Sequence, residues 1–66
     1  MEQPTPPAAQ PSRGLVLIVE DERAIADVQR LYLTRAGFGV HVETTGEGGL
    51  ERIRSLRPVA VILDVG

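Results

Sequence analysis

Cysteine, lysine and tryptophan are missing from this 66-residue chain, and tyrosine and phenylalanine occur once each. Without cysteine there is neither a disulfide framework nor a thiolate metal site, an absence that fits a reducing, cytoplasmic setting. One Tyr and one Phe make no platform for stacking bases. A net charge of −2, with all seven cations arginine, argues against a nucleic-acid surface, because phosphate contacts need clustered cations. No apolar run is long enough to span a membrane, and the first residues lack the basic start and apolar stretch of a secretory signal. Four of the five prolines fall between Met1 and Arg13, a stretch with no Val, Ile, Leu or Phe. Such a segment buries too little surface to offset chain entropy, so residues 1–13 are expected to be a disordered leader. Residues 14–66 remain to form a core, a marginal number without covalent staples.

What is there has a clear rhythm. Leu15-Val16-Leu17-Ile18-Val19 is a continuous apolar run of strand length, suited to a parallel strand covered on both faces. From Arg23 to Ala36 the period becomes helical, with Ile25, Val28, Leu31, Tyr32 and Ala36 on one face, which places Tyr32 in the core. Gly37 is the expected left-handed stop, with Phe38 folding back onto Leu33. Residues 39–43 alternate, Val40 and Val42 against His41 and Glu43, as a half-exposed edge strand does. Thr44-Thr45-Gly46-Glu47 reads as a capping box opening a second helix whose apolar stripe is Leu50, Ile53 and Leu56. Gly48 and Gly49 each cost roughly 1 kcal/mol there relative to Ala, so the first turn is expected to fray or to pack tightly on something. Pro58 ends that helix, and Val59 to Leu63 is a third strand. No internal repeat stands out. A β-α-β-α-β order predicts an α/β fold with an open, flavodoxin-like parallel sheet in strand order 2-1-3. The third strand would then present an open apolar edge, which predicts that the chain is an incomplete piece of a longer one or pairs with a like chain.

Both strongly apolar strands stop on acid: Val19 runs into Glu20-Asp21-Glu22, and Leu63 into Asp64. Neighbouring parallel strands lie about 4.8 Å apart, so their carboxylates would converge at the carboxyl end of the sheet, where open α/β folds place their chemistry. Two carboxylates about 5 Å apart repel by roughly 3 kcal/mol at an effective dielectric near 20, or about two pKa units. A divalent cation relieves that repulsion, and Mg²⁺, content with one or two carboxylates plus waters and a phosphate oxygen, is the natural candidate. The plainer alternative is that Asp21 caps the Arg23 helix and Glu22 favours its dipole. That alternative leaves Asp64 unexplained.

The run Leu15 to Glu22, Gly46-Glu47, Arg57-Pro58 and Val61-Ile62-Leu63-Asp64-Val65-Gly66 resembles, in order and spacing, the first half of a response-regulator receiver domain. The Val-Glu-Asp-Glu and Leu-Asp-Val-Gly stretches are most similar to regulators with a winged-helix DNA-binding output domain. The resemblance implies that residues 14–66 are a truncated receiver of two-component signal transduction. It implies that Asp64 is the phosphoacceptor, taking a phosphoryl group from a partner sensor histidine kinase rather than acting as an enzyme on other substrates. It further implies Mg²⁺ held by Asp21 and Asp64, by Glu20 through a water, and by the backbone carbonyl of Gly66. DNA contact, and with it control of transcription, would come through an output domain rather than this segment. Three departures stand against the pattern. The family uses a hydroxyl residue after a fourth strand and a lysine after a fifth, and this chain has neither strand and no lysine. Val59 stands where an acid often follows the proline.

Other readings remain open. A dinucleotide-binding start needs glycines after the first strand, where Glu20-Asp21-Glu22 would repel pyrophosphate. Topoisomerase-primase-type metal domains also end strands on acids, but Asp21 replaces a glycine and Gly66 the second acid of their pattern. A receiver-like module without phosphotransfer, docking on a kinase or forming a homodimer through its open edge, is the main alternative. His41, the lone histidine, reads as a solvated residue on an edge strand, and Arg52, Arg54 and Arg57 as a solvated helix face.

Overall fold

The computed structural model describes residues 13–64; the expected leader up to residue 12 and the implied ligand Gly66 lie outside them. Three strands and two helices alternate: β1 (Leu15–Val19), α1 (Arg23–Arg35), β2 (Gly39–Glu43), α2 (Gly46–Leu56) and β3 (Ala60–Leu63). The sheet is parallel throughout, in the order β2-β1-β3. Both the fold class and the strand order therefore agree with the reading of the sequence. β3 begins one residue later than expected, yet the Val59 amide still donates to the Leu15 carbonyl at 2.8 Å.

β1 carries the core. Val16, Leu17, Ile18 and Val19 are buried, and Leu17 and Ile18 are wholly so. Full burial of each such side chain contributes about 1.5–3 kcal/mol, so most of the apolar stabilisation is concentrated in one strand. Alternation along β1 sends Leu17 and Val19 to one face and Val16 and Ile18 to the other. α2 lies against the Val19 face, where Gly49 is buried, and α1 covers β1 and β2 without touching α2. No helix touches β3 among the described residues, which leaves Val59, Val61 and Leu63 exposed.

Both helices end as their residues dictate. Gly37 takes φ +98°, the Phe38 amide donates to Leu33 O at 3.0 Å, and the Gly37 amide donates to Thr34 O at 3.1 Å. That pair of bonds is the Schellman stop expected after Ala36. α2 closes on Arg57 in the left-handed region at φ 50°, immediately before Pro58. Its start differs from expectation. The cap is Thr45, whose hydroxyl accepts from the Gly48 amide at 3.0 Å, so Glu47 falls one place short of the reciprocal position of a capping box.

The helix faces need a larger correction. The side of α1 turned to the sheet carries buried Ala26 and half-buried Gln29 and Leu33, while Ile25, Val28, Leu31 and Tyr32 are exposed. Tyr32 is 67% exposed and fills no core. Periodicity gives the width of an apolar stripe, but the short link from Val19 to Arg23 sets the rotational phase of the helix. Small Ala26 is thereby brought nearest the sheet. In α2, Leu50 and Ile53 are likewise exposed, while Gly49 is the buried residue and packs on Val19. At the chain entry, the Arg13 amide donates to Gly37 O at 3.1 Å and its guanidinium lies 5.9 Å from the Phe38 ring centroid.

A Cβ on Gly49 would meet Val19 Cγ2 at 2.6 Å, whereas one on Gly46 would meet nothing within 4 Å. Overpacking a buried β-branched neighbour costs about 1–3 kcal/mol and outweighs the roughly 1 kcal/mol gained in helix propensity. Gly49→Ala is expected to lower the urea midpoint by the equivalent of about 1 kcal/mol, and Gly46→Ala to leave it unchanged or raised. Circular-dichroism titrations of the two variants check this.

Candidate functional site

The register pairs Val19 with Glu43 on one side and with Leu63 on the other. Glu20 and Asp64, each one residue beyond a paired position, therefore leave the same end of the sheet on adjacent strands, and the Asp64 amide reaches Val19 O at 3.3 Å. An open cleft of about 260 Å³ forms there, lined by Val19, Glu20, Asp21, Thr44, Gly46, Leu63 and Asp64. The three described residues singled out from the sequence, Glu20, Asp21 and Asp64, thus share one cavity. Thr44 and Gly46, read from the sequence only as part of a helix start, line the same cleft. Their signal was their place directly after β2, which brings them to the same end of the sheet.

Glu20 is the unusual member, a carboxylate only 3% exposed. Its Oε2 accepts from the Glu22 amide at 3.0 Å, and its Oε1 is buried with no hydrogen-bond partner among the described residues. The Glu22 amide pulls its pKa down. Burial and the neighbouring carboxylates of Asp64 and Asp21 outweigh that bond, and the net direction is upward. Asp21 does not cap α1. The cap position is Glu22, which makes no side-chain capping bond, so Asp21 is left at the mouth of the cleft.

These residues suit a hard cation. A buried carboxylate oxygen without a donor, beside two further carboxylates, is relieved by positive charge. No group of three or more His, Asp and Glu side chains among the described residues is gathered tightly enough to hold a metal unaided. One or two carboxylates completed by water and ligand oxygens are what Mg²⁺ requires.

Beside the cleft, where β2 meets α2, Glu43 Oε2 accepts from Arg52 Nε at 3.0 Å and lies 2.7 Å from His41 Nε2. His41 and then Arg52 hold the Glu43 carboxyl below its ordinary value. His41 is half-buried and Arg52 is engaged, so neither is the simply solvated residue expected from the pattern. Their signal was the i, i+2 spacing of His41 and Glu43 on a strand.

Comparison with known proteins gives a consistent set of relatives. Over 50 residues, 76% of this chain and 22% of the relative, the sequence is 42% identical to transcriptional regulatory protein AfsQ1 of Streptomyces coelicolor. Over the same shares it is 40% identical to response regulator MprA of Mycolicibacterium vanbaalenii. Over 54 residues, 82% of this chain and 24% of the relative, it is 43% identical to transcriptional regulatory protein CreB of Escherichia coli. The chain spans about a quarter or less of the length of these curated relatives. No protein-family model matches the chain, and no solved structure matches it significantly. No helix among the described residues is long and apolar enough to cross a membrane.

The two shifted carboxyls act oppositely on stability. Glu20, raised in the folded state, binds its proton more readily folded than unfolded, so its contribution grows as pH falls through its raised value and is complete below the ordinary 4.5. Glu43, lowered when folded, contributes fully above 4.5 and loses that contribution as pH falls through its depressed value. Glu20→Gln is therefore expected to raise the melting temperature at pH 7 and to remove the gain on mild acidification. Glu43→Gln is expected to lower the melting temperature at pH 7. Melts from pH 7 down to pH 3 check both.

Proposed function

We propose that this chain, whose homologues are response regulators, is a receiver-domain segment serving two-component signalling, with Asp64 as phosphoacceptor. The observation that carries this reading is the meeting of Glu20, Asp21 and Asp64 in one cleft at the carboxyl ends of β1 and β3. In the proposed step, a carboxylate oxygen of Asp64 attacks the phosphorus of a phosphohistidine on a sensor kinase. The P–N bond breaks as the P–O bond forms, and the imidazole leaves with a proton from solvent. Asp21 and Asp64 are the proposed direct ligands of Mg²⁺, with Glu20 acting through a bound water and the Gly66 carbonyl as a further ligand. When bound, the ion offsets charge on the phosphoryl oxygens during in-line transfer. Glu20 stands buried at the back of the cleft, and the β1–β3 ladder holds Asp64 beside it. The reaction is stoichiometric, with the protein as acceptor, and takes place in the cytoplasm. Control of transcription, through DNA contacts made outside this segment, is part of the same proposal and is supported by the names of the relatives.

A second reading is favoured by the bare flank of β3. Val59, just before β3, and Leu63 within it are each 62% exposed, on a flank that no helix covers among the described residues. A segment that binds a kinase or a second copy through this flank, without accepting phosphate, would use that surface.

Incubation with a small phosphodonor and Mg²⁺ is expected to add the mass of one phosphoryl group to the chain. Asp64→Asn is expected to reduce that addition to background, and Asp27→Asn, on exposed α1, to leave it intact. Mg²⁺ alone is expected to raise the stability of the parent chain, by about 2.7 kcal/mol at one hundred times its dissociation constant. Unchanged mass together with a concentration-dependent dimer in ultracentrifugation would favour the second reading.

A further inference from the structure

Glu43 sits where three parts of the molecule meet. Its carbonyl accepts the Glu20 amide at 2.9 Å, so its main chain is tied to the buried acid of the cleft. Its Oε2 takes Arg52 Nε at 3.0 Å and lies 2.7 Å from His41 Nε2. Its Oε1 lies on the bare face of Gly48, where a Cβ would come within 2.6 Å. Gly48 and Arg52 are four residues apart and therefore share one side of α2. The residues between Glu43 and the body of α2 include Thr44 and Gly46, which wall the cleft. Thr45 between them caps the helix. From these contacts we infer that Glu43 is a positioning residue for the acidic cleft. Strapped by Arg52 and His41, its carboxylate locks the β2–α2 connection against the sheet and thereby sets how tightly the cleft takes a divalent cation.

The physical case rests on what the connection lacks. Thr44, Thr45 and Gly46 are exposed, and a Cβ on Gly46 would find open space, so side-chain packing does not hold this wall of the cleft. The Thr45 hydroxyl cap, the bond from the Gly49 amide to the Thr45 carbonyl at 2.9 Å and the Glu43 strap do. A charge-assisted bond from a guanidinium is about twice as strong as a neutral one, and sharing one oxygen between Arg52 and His41 fixes the carboxylate rotamer. Gly48 serves the same end. Any side chain there would displace the oxygen that faces it.

This inference rests on the reading of the cleft as a Mg²⁺ and phosphoacceptor site, and its test separates the two. Amide hydrogen exchange of Thr44, Thr45 and Gly46 and Mg²⁺ titration by NMR are measured on the whole 66-residue chain and on Arg52→Ala, Arg52→Lys, Glu43→Gln and Arg54→Ala. Exchange in the connection is expected to quicken roughly tenfold in Arg52→Ala and Glu43→Gln. Mg²⁺ affinity is expected to fall on the order of tenfold, the lower end of the effect of removing an outer-shell partner. Arg52→Lys, which keeps the charge but loses the planar fork, is expected to fall between, and Arg54→Ala to match the parent. Arg52 is exposed, so its removal leaves the core intact and a loss of fold is not in prospect. Unchanged exchange in both strap variants, or faster exchange with unaltered Mg²⁺ affinity, would overturn the inference. Faster exchange in the strap variants when the parent binds no Mg²⁺ would keep Glu43 as the strap of the connection but overturn both its hold on a cation and the phosphoacceptor reading of the cleft.

Discussion

β1 is the only strand hydrogen-bonded on both sides among the described residues, and the rest of the molecule is arranged by that pairing. Five apolar residues in a row are tolerable only where both faces are covered and both edges are occupied. Placing this strand centrally forces β2 and β3 to its flanks. Parallel pairing then brings the carboxyl end of every strand to the same side, and Glu20 and Asp64 become neighbours as a matter of register. The acid cleft is thus a by-product of how the core is buried. The same strand supplies the wholly buried Leu17 and Ile18 and, one residue past its end, the buried carboxylate.

Two glutamates beyond or at the ends of neighbouring strands show how the same group is turned to opposite uses. Glu20 is sunk among like charges with a single amide to answer it, and its ionised form is disfavoured. Glu43 has an imidazole and a guanidinium at one oxygen, and its ionised form is favoured. Their backbones are joined by one hydrogen bond of 2.9 Å, so the strained acid is carried on the frame that the satisfied acid stabilises. Perturbed carboxyls cluster at functional sites, though structural ion-pair networks shift them too.

Much of this was legible in the residues. Strand-length apolar runs, the Gly37 stop and Pro58 gave the element order to within a residue, and the alternation of residues 39–43 marked an edge strand. The convergence of Glu20, Asp21 and Asp64 followed from two strands ending on acid. What periodicity does not carry is rotational phase. In α1 the sheet chose Ala26 and Leu33 rather than the bulkier Ile25, Val28 and Tyr32, and in α2 it chose the glycines. Long-range side-chain pairs were equally hidden. Arg52 lies nine residues from Glu43, and nothing in a linear pattern joins them. The capping position slipped by one because two threonines stand side by side and only geometry decides between them.

β3 hangs on the sheet by one ladder alone, with no helix laid across it among the described residues. Local openings begin where buried contacts are fewest, so among the described elements β3 is the one expected to peel away first while β1, β2 and both helices keep their packing. Asp64 rides on its tip. Each excursion would separate Asp64 from Glu20 and Asp21 and dissolve the cleft without melting the core. Whatever bridges those carboxylates therefore acts as a clasp on the outermost strand.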